Sequence, residues 1–241
     1  MGTISVIASG RDGVGKTTTA VFIGAALAKK KKKVLVIELD SGSRSIDIVS
    51  GAHAQLVYDI SDVLSGKCSV EKAIVSSPIQ QNLFIMSAPY NSGTISADRF
   101  IKLCTVLSGN YDYVLVDSAA SMGALVTAAS TAMRAIVVTT ADYVSVRSAR
   151  QVADRLYDMS VPDVRLIINR LVPERVYGGA VPNLDYCIDT VGAKLIGVIP
   201  ESNRIALAAS GVAKLGTCTE QKIFDSIAER IEGEDVPLII R

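Results

Sequence analysis

The sequence predicts an α/β fold, a doubly wound and mostly parallel sheet with helices on both faces. Three observations predict it. Apolar runs of strand length alternate with helix-length segments along the whole chain, which implies right-handed crossovers between parallel strands. Most runs are continuously apolar rather than alternating, as strands covered on both faces require. Hydrophobic residues make up 49% of the 241, with no tryptophan, which suits a core of Ala, Val, Ile and Leu.

The elements follow in order. Ser5–Ala8, within the run Thr3-Ile4-Ser5-Val6-Ile7-Ala8, is a short buried strand that stops at a glycine-rich segment. A helix over Thr17–Lys30 follows, rich in Ala, Val, Ile and Leu. Val34–Glu38 and Tyr113–Asp117 are apolar strands that each close on an acid, and Leu83–Ser87 lies between them. Ala135–Thr139, Arg165–Asn169 and Leu195–Ile199 complete the sheet. The connecting helices are expected near Ile95–Leu107, Leu125–Met133, Val146–Tyr157, Ile205–Leu215 and Thr219–Ile231. No internal repeat, low-complexity linker or domain break interrupts residues 1–241, so they read as one domain.

Residues Gly10 to Thr17 read GRDGVGKT and meet every fixed position of G-x-x-x-x-G-K-[ST]. A strand before and a helix after give this motif its physical meaning: backbone N–H groups and a helix N-terminus face one point and suit a polyphosphate. In that P-loop fold, Lys16 reaches the β- and γ-phosphates and the Thr17 hydroxyl takes one position on Mg²⁺. A dinucleotide fingerprint is excluded, although Glu38 and Asp40 lie where a ribose-binding acid belongs. It needs G-x-G-x-x-G, whereas Gly10, Gly13 and Gly15 are spaced G-x-x-G-x-G.

Ligands of such sheets sit beyond the carboxyl ends of the strands, where Asp40, Asp117 and Asn169 emerge. Asp117 is the candidate for holding the water shell of Mg²⁺, which keeps several waters and few protein ligands. Asp40, nearer the γ-phosphate, is then free to orient the attacking water. Glu38 reads as structural and His53, the only histidine, as incidental.

Other classes are disfavoured. Twenty-five basic against 24 acidic residues give no sign of a global polyanion binder. The run Lys29–Lys33 sits where the first helix ends, so it complements the helix dipole and stays solvated; nucleic acid is not the expected partner. Cys68, Cys104, Cys187 and Cys218 are far apart, without metal-ligand spacing, and read as reduced and buried. The chain enters a strand at once, leaving no room for a signal peptide, and no apolar run approaches the ~18 residues of a membrane span. A cytoplasmic protein is expected.

These residues and their neighbours resemble the MinD/ParA family of deviant P-loop ATPases, most of all its MinD (septum-site-determining) branch. The family's K-G-G-x-G-K-T-T loop is similar to Arg11-Asp12-Gly13-Val14-Gly15-Lys16-Thr17-Thr18. The segment Val36 to Asp47 resembles its switch I, and Val116-Asp117-Ser118-Ala119-Ala120-Ser121 its switch II. Further matches are Thr139-Thr140, Ser145-Val146-Arg147, Asn169-Arg170 and Gly197-Val198-Ile199-Pro200-Glu201. The resemblance implies an ATP-dependent homodimer that hydrolysis returns to monomers, with Mg²⁺ and ATP or ADP as cofactors. It implies catalytic roles for Lys16, Asp40 and Arg11, and metal roles for Thr17 and Asp117. The nucleotide is implied to contact the loop from Gly10 through Thr18, and its adenine Asn169, Arg170, Pro200 and Glu201. The helix near Ser145 is implied to carry an activator or effector.

Four departures qualify that picture. The signature lysine is Arg11, which keeps the charge in a planar, multi-donor head. A family glycine is Asp12, whose carboxylate needs neutralising by Arg11 or Mg²⁺ if it is not to repel the γ-phosphate. Switch II has Ala119 and Ser121 in place of a proline and a glycine, and Ser121 is less permissive of a positive φ. Finally, Glu234 to Arg241 shows no basic amphipathic helix, so either a membrane-binding tail is trimmed or attachment runs through another protein. A MinD-like ATPase is the leading expectation. A non-hydrolysing nucleotide-dependent scaffold for pilus or polar localisation, and a ParA-like DNA-segregation ATPase, are the alternatives.

Overall fold

The computed structural model describes residues 1–41, 44–89 and 95–240. Gly42 and Ser43 of the switch I-like stretch, and the terminal Arg241, lie outside the described residues. The strands are β1 (Thr3–Ala8), β2 (Val34–Glu38), β3 (Val75–Ser76), β4 (Leu83–Met86), β5 (Tyr113–Asp117), β6 (Arg134–Thr140), β7 (Val164–Leu171) and β8 (Lys194–Pro200). Their order across one sheet is β3-β4-β2-β5-β1-β6-β7-β8. All pairings are parallel except β3 against β4.

The long helices are α1 (Lys16–Lys29), α5 (Ala97–Ser108), α7 (Tyr143–Asp158) and α11 (Thr219–Ile231). Shorter ones are α2 (Ile46–Val49), α3 (Ile60–Leu64), α4 (Val70–Ala73), α6 (Met122–Ala129), α8 (Pro173–Tyr177), α9 (Leu184–Val191) and α10 (Asn203–Ala209). Successive strand residues feed opposite faces. Val6, Leu35 and Ile37 join Phe100, Leu103, Leu125, Val146 and Leu156 of α5, α6 and α7. Ile7, Val34 and Val36 join Val21, Ile23, Leu27, Phe224 and Ile227 of α1 and α11, where the Phe22 and Phe224 rings meet edge-on at 5.3 Å.

The seven expected strands and six expected helices are present; Val34–Glu38, Tyr113–Asp117 and Thr219–Ile231 keep the expected bounds and the others have shifted ends. The helix read over Ile205–Leu215 runs instead over Asn203–Ala209. Ser202 accepts from the Arg204 N–H and starts it early, and Ser210 with Gly211, at φ +74°, stops it. The helix read over Leu125–Met133 runs over Met122–Ala129, capped by Ser121 at one end and Ser130 at the other. Five short helices (α2, α3, α4, α8 and α9) and the antiparallel β3 were not expected. Two carry readable caps: Asp59 and Asp62 form a reciprocal capping box on α3, and Asn183 accepts from the Tyr186 N–H on α9.

The lysine run is tied within the chain. Lys29 meets Asp225 at 2.7 Å, and Lys30 meets Glu232 and Glu234, each at 2.6 Å. Lys32 lies 3.1 Å from Glu232, and Lys33 sits over the Tyr111 ring at 4.7 Å. The run therefore anchors α11 and the segment after it to the end of α1. The four cysteines are free. Among the described residues no helix is long and apolar enough to cross a membrane.

Candidate functional site

The loop after β1 is held from two sides. A Cβ on Gly10 would come within 2.5 Å of Ser148 on α7, so only glycine fits there. Gly15 caps α1 at φ +94°, a conformation L side chains rarely adopt. The Asn169 amide at the end of β7 donates to the Val14 carbonyl at 2.7 Å, while the Val14 side chain is buried in the core. α1 begins with no side-chain cap and no acid in its first turn. Its first N–H groups face the cleft and, with the aligned helix dipole, favour an anion.

The cleft, of about 510 Å³, is lined by Asp12, Gly13, Gly15, Lys16, Thr17, Thr18, Asp40, Ser45 and Arg170. Lys16 is nearly buried, and its ammonium lies 3.4 Å from Asp12 Oδ1. The neutralising partner of Asp12 is thus Lys16, where Arg11 or Mg²⁺ was expected. Arg11 turns the other way, its guanidinium 3.5 Å from Ser145 Oγ and 3.7 Å from Asp142 Oδ1 at the start of α7. Ser121, at φ −70°, sits in ordinary extended backbone, so no positive φ is demanded of it.

Asp117 ends β5 fully buried. The Thr17 hydroxyl donates to its Oδ2 at 2.5 Å, and its Oδ1 has no hydrogen-bond partner. Burial pushes this carboxyl up to about 7; the Thr17 bond and Lys16 pull it down, and Asp40 pushes it up. A buried carboxylate with one unpartnered oxygen, beside a hydroxyl it already holds, fits the hard oxygen donors and retained waters of Mg²⁺. Among the described residues no group of three His, Cys, Asp or Glu side chains could hold a metal by itself. A divalent ion here would therefore take its remaining ligands from water and phosphate.

A second hollow of about 310 Å³ opens beside Gly15 and Thr18, lined by Asn169, Arg170, Pro200 and Glu201. Arg170 has a left-handed φ of 54° where the β7–β8 pairing slips. Its N–H bonds Asn169 Oδ1 at 2.9 Å. The structure thus brings together every expected nucleotide-site residue except Gly10 and Val14, which act as packing and backbone, and Arg11, which faces α7. Ser45, read only as part of the switch I-like stretch, and Ser202, Asn203, Ile205, Ala206 and Ala209 line the two hollows without having been assigned to the site from sequence. The cap signal of Ser202 after Pro200-Glu201 was the one cue available for the residues that follow it.

A glycine-rich turn feeding an uncapped helix, with a lysine, a hydroxyl and a buried acid around one anion-sized cleft, defines a P-loop nucleoside triphosphatase. A family model described as an AAA domain matches residues 1–160. The septum site-determining protein MinD of Synechocystis is 34% identical over 99% of this chain and 92% of its own. The solved MinD cell division protein of Aquifex aeolicus superposes with a TM-score of 0.88 at 34% identity, over 98% of this chain and all of that one. The MinC:MinD complex of the same organism gives 0.90 at 33%, over 99% of each chain. This chain belongs to the MinD family of ATPases.

Proposed function

We propose that residues 1–241 form one ATPase domain that binds ATP with Mg²⁺, dimerises around it and helps position the division site. The observation that carries this reading is the Thr17–Asp117 pair at the foot of the Lys16 cleft, with its unpartnered oxygen. Bound Mg²⁺ supplies neutralisation of the phosphate charge. Lys16 holds the terminal phosphates, and the N–H groups of Gly13 through Thr18 surround the rest. Asp40 orients water, and Asn169, Arg170, Pro200 and Glu201 receive the base. Arg11 leaves Asp142 and Ser145 to reach the phosphates of the second copy. The single sheet supports treating the chain as one unit.

The effector surface is the start of α7, where Tyr143 and Val144 are exposed beside Ser145. The Aquifex aeolicus relative is solved in complex with MinC, and an effector of that kind suits this surface. The protein works in the cytoplasm. A DNA-binding role loses its main support, since Lys29, Lys30 and Lys32 are paired with carboxylates.

Light scattering tests the proposal. With saturating ATP and Mg²⁺ the mass should double from 25.4 kDa, and with ADP, or in Arg11→Ala with ATP, it should not. A wild-type protein that stays monomeric while ATP is bound would overturn it.

A further inference from the structure

Glu38 ends β2 with no exposed surface. Its Oε1 accepts the backbone N–H groups of Ser45 at 2.8 Å and Ile46 at 3.1 Å, and its Oε2 accepts that of Ala88 at 3.4 Å. Ser45 caps α2 without a side-chain bond of its own. A carboxylate seven residues upstream therefore satisfies the donors a helix start leaves open. The same oxygen pair joins three segments: the end of β2, the start of α2 and the chain leaving β4.

The surroundings give this clamp a use. Glu38 pairs in register with Asp117 on the neighbouring strand. The next residue, Leu39, donates its N–H to the Asp117 carbonyl at 2.9 Å, and the Asp40 carbonyl accepts from the Arg44 N–H at 3.3 Å. Asp40 is thus hung between β5 and the segment that Glu38 pins. Ser45, one of the pinned residues, lines the phosphate cleft. α2 also packs against α1 and α10, and α10 starts just after Pro200 and Glu201 of the second hollow. A carboxylate that does not itself line the cleft therefore sets where α2, Asp40 and Ser45 stand relative to Thr17 and Asp117.

We propose that Glu38 is a positioning residue for ATP hydrolysis, its carboxylate holding α2, Ser45 and Asp40 in place opposite Thr17 and Asp117. This rests on the ATPase reading above and adds to it the group that orders the hydrolytic side of the cleft. Phosphate capture by the loop and Lys16 does not depend on it, so binding and turnover should separate.

The test uses the full chain with Glu38→Ala and Glu38→Gln, the second keeping one acceptor oxygen and nearly the same volume. Three quantities are read: Mg²⁺-ADP affinity by calorimetry, single-turnover hydrolysis of ATP, and amide hydrogen exchange of residues 45–49. In Glu38→Ala, exchange should rise and hydrolysis fall by about tenfold or more, the worth of one lost charge-assisted hydrogen bond. ADP affinity should stay within about threefold, below one such bond. Glu38→Gln should lie between wild type and Glu38→Ala in both exchange and turnover. Hydrolysis unchanged while exchange rises would overturn the proposal, and so would ADP affinity and turnover falling together in both variants. A wild-type protein that binds no nucleotide would instead remove the ATPase reading beneath it, a result seen before any variant is made.

Discussion

Replacing Asp117 with Asn separates what this residue costs from what it does. The carboxyl is fully buried, bonded by Thr17 on one oxygen and unpartnered on the other. Its pKa is pushed from 3.8 to about 7. Because the folded value lies above the unfolded one, ionised Asp117 destabilises the nucleotide-free fold. That cost is absent below the unfolded value, grows as pH rises between the two, and is complete above about 7. Three units correspond to about 4 kcal/mol at pH 8. The Asn side chain leaves an amide N–H₂ at the unpartnered position, which returns about 1–3 kcal/mol of that. The variant should therefore be more stable than wild type by about 1–3 kcal/mol at pH 8, and the advantage should shrink by about 2 kcal/mol at pH 5.5. Urea denaturation of both proteins without nucleotide, at the two pH values, measures this. Calorimetry with ADP should show that Mg²⁺ no longer strengthens binding to the variant. A variant less stable at pH 8, or a difference that ignores pH, would refute the reasoning, as would intact Mg²⁺ dependence.

Two further predictions follow from the loop. Asp12 is exposed and lies against Lys16, so Asp12→Gly should tighten ATP binding roughly two- to fivefold, the scale of an exposed charge contact. Its melting temperature should be unchanged, and calorimetry with thermal denaturation checks both. Gly15→Ala would place a Cβ 2.3 Å from Asn169 Nδ2 at a φ of +94°. It should cost about 1–3 kcal/mol of stability and weaken nucleotide binding, and a binding isotherm matching wild type would contradict the packing described.

Much of the site was legible because its chemistry is local. Lys16, Thr17 and the glycines act through spacing along a single turn, and Asp40 and Asp117 announce themselves by closing apolar runs. What stayed hidden depends on approach through space. Asp12 meets Lys16 because the turn through Gly13 and Gly15, both at positive φ, folds the loop back on the start of α1, while Arg11 is carried towards α7, 134 residues away. Glu38 was read as structural, yet its three backbone partners lie seven, eight and 50 residues downstream, and no pattern in the chain reveals such a clamp. Four of the five missed helices have only four or five residues, too few to show a helical period, and only a cap such as Asp59 betrays them.

The order of strands and helices, the phosphate loop and the two strand-end acids are properties of the sequence alone, since burial on two faces and a tight turn need only residue type and spacing. The tertiary structure alone decided the partners of those charged groups. Which cation meets Asp12, where Arg11 points and what Glu38 holds depend on a folded sheet that places distant segments within hydrogen-bond reach and excludes water from between them.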